Sequence, residues 1–435
     1  MHPRRGRRRK RLRRLKGSYR TRHFGLKNLR ILWIFIIFLS CKKGFLESHW
    51  ATPVSFQGEP PSRYSELEKS LDPENCGVCH KEQYEKWSSS LHSKASGPGL
   101  QWQLKRIGNE ESSSCFACHS PLIETQNFIR ESKFKTANNP NEVLSYLKKE
   151  TAERGISCAS CHVRNQVRYG PPPREEKQND SSSGRKAHGG FVVQKEFESS
   201  KFCISCHETP EYGKPVNGKR MMETYKEWEQ SRYAKEQITC QNCHMPDRSH
   251  SWKGIHDPEM TANAVTATLG FKSIGGESYV YASLKNTGVG HKFPTYSVPK
   301  IFLFLSVYEN GKQKRILAEK TIGRVTDLDL KHEFEDTRLL PDEEMVIKAR
   351  LTRMDFKTHE EIRFTAIVEP DEFYVRMFQH NWDRRNEFGI TGVEEKQLEE
   401  ALKKAKSSRY VLFEKRIQTS SLTDGFFSSD LRVSK

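Results

Sequence analysis

Cys76-Gly-Val-Cys79-His80 begins a series of five pentapeptides of the form Cys-x-x-Cys-His, and this series decides the fold. Two cysteines followed at once by a histidine are the attachment pattern of c-type haem, in which the thiols bond to the porphyrin and the imidazole ligates the iron. The motifs use ten of the 11 cysteines. The other copies are Cys115-Phe-Ala-Cys118-His119, Cys158-Ala-Ser-Cys161-His162, Cys203-Ile-Ser-Cys206-His207 and Cys240-Gln-Asn-Cys243-His244.

Paired cysteines are also typical of structural zinc sites and of disulfides. One tetrahedral zinc takes two Cys-x-x-Cys pairs, and an odd number of pairs does not divide into such sites. Neither alternative requires a histidine after the second cysteine, yet every copy has one. The repetition therefore predicts five covalently attached haem c groups. Their proximal ligands would be His80, His119, His162, His207 and His244.

Residues 1–41 have the pattern of an export signal. Residues 1–30 contain 14 Lys or Arg and no acidic residue, and residues 31–39 are all apolar. This apolar run is too short for a membrane-spanning helix, which needs about 20 residues, but it is typical of a secretory signal. Cys41 follows the run, as at a lipoprotein cleavage site. We therefore expect a protein of the periplasm or cell envelope, associated with a membrane through lipidated Cys41; an ordinary signal peptide is the alternative.

The basic charge of the chain is concentrated in this leader. The net charge is +18, of which residues 1–30 contribute +14, leaving +4 for the remainder. A basic run is also typical of nucleic-acid binding, but a removable leader in front of a haem-binding chain does not favour that function. We expect no nucleic-acid partner, and instead redox partner proteins or a membrane electron donor.

The motifs start 37 to 45 residues apart in a chain that is only 35% hydrophobic, with a mean hydropathy of −0.79. So polar a sequence buries a conventional core with difficulty, and haem groups would supply the missing apolar surface. We expect a mainly α and irregular pentahaem domain over 70–262, in which short helices and loops surround a haem stack. Residues 42–69 are expected to be a linker, and the proline- and serine-rich stretch 164–187 a flexible loop.

After residue 262 the pattern predicts β-structure. Asn310-Gly311 is typical of a hairpin turn. We expect a small β-sandwich-like domain over 263–370, followed by C-terminal helices over 371–418 and a mobile tail over 419–435. Runs of β-branched and aromatic residues predict strands at 265–271, 278–284, 301–307, 345–351 and 362–368, and apolar periodicity predicts helices near 372–380 and over 393–406.

Six-coordinate haem iron needs a second, distal ligand, usually His or Met. Most lone histidines are ordinary surface or hydrogen-bonded side chains, but several irons in need of ligands favour those in or just after the haem region. These candidate distal ligands are His92, His188, His250, His256 and His291, with Met221, Met222, Met245 and Met260 as alternatives. We interpret His49, His332, His359 and His380 as ordinary side chains.

Several segments resemble a known family. The first motif, followed by Tyr84, Trp87 and His92, resembles the cytochrome c-552/4 domain of exported multihaem cytochromes, and 225–246 and 288–295 are similar to further signatures of such proteins. The resemblance covers roughly 70–310 and implies that His92, His250 and His256 are distal ligands. Many copies of the Trp-x-x-Ser-x-His signature end in His where this chain has Tyr233, so this position supplies no imidazole.

These observations favour electron transfer, because haems ligated by two histidines have no open coordination position. The alternative is a multihaem oxidoreductase that acts on nitrite, hydroxylamine or nitric oxide at one five-coordinate haem, where His188 or His291 fails to ligate. The sequence lacks a Cys-x-x-Cys-Lys variant, which argues against ammonia-forming nitrite reduction. The β domain either docks a partner or caps the haem stack and donates His291.

Overall fold

The computed structural model describes residues 44–135, 151, 154–174, 187–210, 213, 215–275, 277–351 and 360–421. Cys41 with the predicted leader, 175–186 of the predicted flexible loop and most of the predicted tail lie outside these ranges. The described residues from Phe45 onward belong to one compact unit. None of their helices has the length and apolar character needed to cross a bilayer.

Short helices and single 3₁₀ turns build the first part of the fold, as predicted. The longest of these described helices, Ile123–Phe134, has 12 residues. The helices are α1 (Phe45–His49), α2 (Glu66–Lys69), α3 (Pro73–Gly77), α4 (Lys81–Ser89), α5 (Pro98–Gln101), α6 (Leu104–Ile107), α7 (Ser112–His119), α8 (Ile123–Phe134), α9 (Cys158–His162), α10 (Ile204–His207), α11 (Thr224–Glu229), α12 (Arg232–Lys235), α13 (Cys240–His244) and α14 (Pro258–Ala264). The 3₁₀ turns are His92–Lys94, Ala187–Gly189, Lys195–Glu198, Ser200–Cys203 and Pro246–Arg248.

From Gly44 onward, the stretch predicted as a linker, 42–69, is instead packed onto the motif helices. Val54 is 3% exposed and forms a parallel bridge with Leu122. His49 is also buried, and its Nε2 donates to the carbonyl of Cys161 over 2.9 Å. The linker prediction was wrong because these scattered apolar and aromatic side chains are buried one at a time, without a periodic pattern.

The predicted flexible loop 164–187 begins as β-structure. Strands β1 (Val163–Arg164) and β2 (Val167–Gly170) form a hairpin, and β3 (Val192–Val193) pairs parallel to β2. Buried Arg164 fixes this hairpin, since its guanidinium donates to the carbonyls of His49 (2.7 Å) and Ser160 (3.0 Å). A charged residue that looked solvent-exposed in the sequence is therefore a structural donor.

Two antiparallel sheets form the later part of the chain. The first has the order β4-β5-β9 and the second β11-β10-β6-β7-β8. Their strands are β4 (Val265–Ile274), β5 (Glu277–Asn286), β6 (Lys300–Glu309), β7 (Lys312–Thr326), β8 (Glu333–Asp336), β9 (Glu344–Leu351), β10 (Glu360–Glu369) and β11 (Tyr410–Gln418). In the hairpin between β6 and β7, Asn310 and Gly311 both have positive φ, as the sequence predicted.

The core of this sandwich follows from strict alternation. Along β10 the side chains at 362, 364, 366 and 368 are fully buried, and the intervening ones are not, because successive strand residues point to opposite faces. Phe364 pairs with Leu305 of β6, and both join one apolar cluster with Val280 and Ile347 of the other sheet. The two sheets thus face each other across a shared core.

The C-terminal helices are α15 (Glu372–Asp383) and α16 (Gly392–Ser407), close to the predicted ranges. They pack with Trp102, which follows α5, and so connect the end of the chain to the motif region. The helical prediction fails over 410–418, which form β11 at the edge of the second sheet. This strand is mixed in polarity because it covers the core from one side only.

Candidate haem-binding centres

Four of the motifs lie on about one turn of helix, whereas the first begins in α3, which ends at Gly77, and its His80 precedes α4. Helices α9 and α13 consist of the motif alone, α7 ends with the second motif, and α10 starts one residue after Cys203. Helical residues three and four apart lie on the same face. The two thiols and the imidazole of a motif are therefore presented on one side of the helix.

Capping starts these very short helices at the first cysteine. Ser157 precedes α9 and Thr239 precedes α13, and each forms a capping box with the third residue of the motif. The Thr239 N–H donates to Asn242 Oδ1 over 2.7 Å, and the Ser157 N–H donates to Ser160 Oγ over 3.1 Å. Helices this short are not stable alone, so the caps and tertiary packing hold them.

Within the described chain, the ten motif cysteines form no disulfide. Thiols of different motifs lie near each other: Cys76 is close enough to Cys158, Cys118 to Cys206 and Cys240 to Cys203 for the second thiol to lower the pKa of the first. The attachment points of motifs one and three, two and four, and four and five are therefore neighbours. In the part of the chain that is described, no three His, Cys, Asp or Glu side chains converge as a metal-ion site, whereas structural zinc uses four ligands.

Backbone carbonyls orient the rings of three of the five motif histidines. His119 Nδ1 donates to Ala95 O (2.7 Å), His162 Nδ1 to Tyr169 O (2.8 Å) and His244 Nδ1 to Lys253 O (2.7 Å). A carbonyl only accepts, so the proton is on Nδ1 and the lone pair is on Nε2. This second contact is typical of metal-ligating histidine.

Three candidate distal histidines lie opposite motif histidines. Two imidazoles on opposite faces of one metal have centroids roughly 6 Å apart, because each nitrogen lies about 2 Å from the metal and about 1 Å from its ring centre. The donor set therefore fits iron ligation by two histidines. The centroid distances are 6.2 Å for His92–His207, 6.2 Å for His162–His250 and 6.3 Å for His244–His291.

In two of these distal histidines a backbone carbonyl again fixes the proton on Nδ1. His250 Nδ1 donates to Arg248 O (2.9 Å) and His291 Nδ1 to Lys292 O (2.8 Å). Burial is the main cause that lowers the pKa of His92 to about 3, and those of His250 and His291 to about 4. All three imidazoles are neutral at pH 7, as ligation requires.

His188 lies near the first motif. Burial lowers the pKa of His80, and nearby His188 lowers it further. The 3₁₀ turn that carries His188 is fixed by the predicted linker: Glu68 Oε1 accepts from the His188 N–H (2.6 Å), and Tyr64 Oη donates to the His188 carbonyl (2.8 Å). Its Nδ1 donates to Gly190 O (2.8 Å), so the Nε2 lone pair is again available.

His256 is placed differently from the other candidates. Its Nε2 lies 3.1 Å from Asp371 Oδ2, so the nitrogen that would ligate iron has another partner. Conversely, His119 of the second motif has no opposed imidazole among the described residues. Tyr374 of α15, which is 36% exposed, lies near this helix. Its partial burial raises its pKa, and the charges of nearby Asp371 and Cys115 raise it further. The expectation that an open iron would lie where His188 or His291 fails to ligate stays a prediction.

Sequence reasoning missed two aromatic side chains at these centres. The Phe197 ring stacks on His162 with a centroid distance of 5.1 Å, and Trp252 contacts both His92 (4.6 Å) and His250 (5.1 Å). The only signal for Trp252 was its position between His250 and His256. No pattern in the sequence distinguished Phe197.

Comparisons with known proteins agree with this geometry. The profile of the family described as cytochrome c554 and c-prime matches residues 75–163, which hold the first three motifs. The fold is similar to that in the crystal structure of a penta-heme cytochrome c552 from Thermochromatium tepidum, with a TM-score of 0.52 and 16% sequence identity over 81% of this chain and 99% of that chain. No curated protein matches the sequence.

The motifs, the family match and the shared fold define a c-type cytochrome. More particularly, the match over 75–163 and the shared fold confirm the resemblance to multihaem c-type cytochromes found in the sequence. The family match supports haem c as the cofactor and a function in redox chemistry or electron transfer.

Proposed function

We propose that this protein carries five haem c groups and transfers electrons in the bacterial cell envelope. The haem iron supplies the chemistry, since it alternates between ferric and ferrous states. The protein side chains provide covalent attachment, axial nitrogen ligands and burial, which together set the reduction potentials.

The opposed imidazoles carry this proposal. Three pairs have centroids 6.2–6.3 Å apart. We assign His188, whose charge lowers the pKa of His80, as the partner of a fourth motif. With these ligands the four motifs have no exchangeable ligand position. The adjacent thiols group the attachment points of motifs one and three, and those of motifs two, four and five. Cys161 of the third motif is close enough to Cys203 and Cys206 of the fourth to raise the pKa of both, which supports stepwise electron transfer between the two groups.

A haem count with low-temperature electron paramagnetic resonance (EPR) tests the proposal. The pyridine haemochrome assay on the purified holoprotein should give five haems per chain, and the oxidised protein should show low-spin ferric signals for the four paired motifs. Fewer than five haems, or high-spin iron at a paired motif, would contradict it. The matched variants are His291→Gly, which should convert one low-spin signal to high-spin, and exposed His332→Gly, which should convert none.

A second candidate function is reduction or oxidation of a small nitrogen compound at the second motif. Among the described residues, no histidine opposes His119, whereas three other motif histidines have an opposed imidazole and His80 has His188 nearby. Tyr374 and the hydrogen-bonded pair Asp371–His256 are grouped near this motif. These are protonatable groups, and reduction of nitrite or hydroxylamine consumes protons.

Ligand binding discriminates the two functions. For the second candidate, cyanide, nitrite or hydroxylamine should shift one high-spin signal, and His256→Gln should alter the pH dependence of that shift. His380→Gln is the control, because His380 belongs to α15, as Tyr374 does, but lies at the exposed end of that helix. A holoprotein that shows only low-spin signals and no spectral change with these ligands would leave electron transfer as the function.

We also propose that the protein is exported and anchored through Cys41, so that a membrane donor or a redox protein supplies its electrons. The leader pattern supports this, since covalent haem c attachment takes place outside the cytoplasmic membrane. Cys41→Ser should move the holoprotein from the membrane to the soluble fraction. Retention of the variant in the membrane fraction would show that Cys41 is not the anchor.

A further inference from the structure

Trp252 lies between the ligands of two different motifs. Its indole meets the His92 ring edge-on, with centroids 4.6 Å apart and an interplanar angle of 81°. It meets the His250 ring at 5.1 Å, also at 81°. His92 opposes His207 of the fourth motif, and His250 opposes His162 of the third. One side chain therefore contacts axial ligands that belong to two separate centres.

The backbone holds Trp252 in this position against its own preference. Its φ is +42°, in the left-handed region that a bulky residue rarely occupies. Such a conformation persists only where the surroundings enforce it, and it is enriched at functional sites. Here Arg248, four residues earlier, is bonded to Glu198 (2.5 Å) and to the Pro172 carbonyl (2.8 Å).

The adjacent backbone also serves the haem ligands. Arg248 O accepts from His250 Nδ1, and Lys253 O accepts from His244 Nδ1 of the fifth motif. His92 differs from the other opposed candidates, because within the described chain no carbonyl is bonded to its ring nitrogens. The ring contacts of His92 are those with Trp252 and His207.

We propose that Trp252 is a positioning residue that fixes the rotation of two axial imidazoles, His92 and His250, and so couples the third and fourth haem centres. An imidazole turns about its metal–nitrogen bond unless a hydrogen bond or a packed ring stops it. The angle between the two axial ring planes sets the anisotropy of the low-spin ferric signal, and this angle is 74° for His92–His207 and 33° for His162–His250. This inference rests on the proposed function, because it needs both centres to be loaded.

The test is EPR of the oxidised holoprotein with Trp252→Leu, which keeps apolar volume, and Trp252→Phe, which keeps an aromatic ring. Trp252→Leu should shift two low-spin signals and leave the others unchanged, and Trp252→Phe should keep both near their wild-type positions. His92→Gly and His250→Gly assign the signals, since each should convert a different one to high-spin. The matched control is Trp382→Leu, which truncates a tryptophan in the apolar cluster of α15 and α16.

The possible results distinguish failure of the ligand assignments from failure of the role of Trp252. If the two His→Gly variants change no signal, the ligand assignments of the proposed function fail. If they do but Trp252→Leu moves neither signal, or moves only one, the role of Trp252 is refuted. A shift of all signals together would also refute this role, since it would indicate that the whole fold is loosened. If Trp252→Leu does not load haem, Trp252→Phe decides: the small shift that the smaller ring leaves should be greater for the His92 signal than for the His250 signal, because His250 keeps its carbonyl bond. An equal shift of all signals would refute the role of Trp252.

Discussion

The loop that carries His291 is held by one buried carboxylate, and its removal should release the ligand. Glu227 of α11 is 6% exposed. Its Oε2 accepts from the Lys292 N–H over 3.1 Å and from Thr295 Oγ1 over 2.7 Å. Its Oε1 lies 3.6 Å from Arg338 Nη1. We predict that Glu227→Ala weakens the docking of this loop and the ligation by His291.

The size of the effect follows from these contacts. Two hydrogen bonds to a charged acceptor contribute about 1.5–3 kcal/mol each. Burial of Glu227 raises its pKa, so ionisation of the carboxylate carries a desolvation cost that the alanine variant avoids. We therefore expect a loss near the lower bound, about 3 kcal/mol. That loss corresponds to roughly a hundredfold change in the equilibrium between docked and released loop.

Two measurements test this prediction. Denaturant unfolding of the holoprotein should show the loss of about 3 kcal/mol, and EPR should show one low-spin signal weakened in favour of a high-spin one. Glu227→Gln, which keeps an oxygen acceptor, should lie between wild type and alanine. The control is Glu236→Ala, an exposed carboxylate just after α12. The reasoning is refuted if Glu227→Ala behaves like Glu236→Ala in both measurements.

Three further predictions concern stability and packing. Burial lowers the pKa of His49 to about 4, so below pH 6.5 the unfolded chain takes up a proton that the native state does not. The free energy of unfolding should be full above pH 6.5 and lower by about 2 kcal/mol at pH 5. In denaturant titrations, His49→Gln should reduce this dependence of stability on pH. Replacement of the fully buried Arg324 by Met should lower the free energy of unfolding by about 3–5 kcal/mol, and Arg324→Lys should give an intermediate value. Equal stability of all three proteins would contradict a structural role for the buried guanidinium. A Cβ at Gly290 would lie 3.2 Å from the Trp228 ring, so Gly290→Val should displace the loop and raise the high-spin fraction in EPR, whereas Gly254→Val, with open space, should not.

Local patterns made part of this molecule predictable. The Cys-x-x-Cys-His motif contains its attachment chemistry within five consecutive residues. The strand at 362–368 is recognisable because buried and partly buried side chains alternate along it. Strand β7 was missed because its first half is polar and exposed, including Gln313 and Lys314. Such a strand is specified by its register with β6 and not by its own hydrophobicity.

The pairing of distal ligands was beyond sequence reasoning for a different reason. His92 follows the first motif closely but opposes His207 of the fourth, because the short helices fold the chain back on itself. His256 looked equivalent to His250, yet it lies beside Asp371. Proximity in sequence therefore identified the group of candidate histidines without identifying their partners.

The position of His291 has a consequence for biogenesis. This ligand belongs to the loop between β5 and β6, so the centre begun at Cys240 needs a residue that is synthesised later and held in place by the sandwich. A chain truncated just after the fifth motif would retain every attachment cysteine and still lack this axial nitrogen. With the ligation proposed above, maturation of the fifth centre would report that the C-terminal half has emerged and folded, and the sandwich would be an assembly checkpoint as well as a cover.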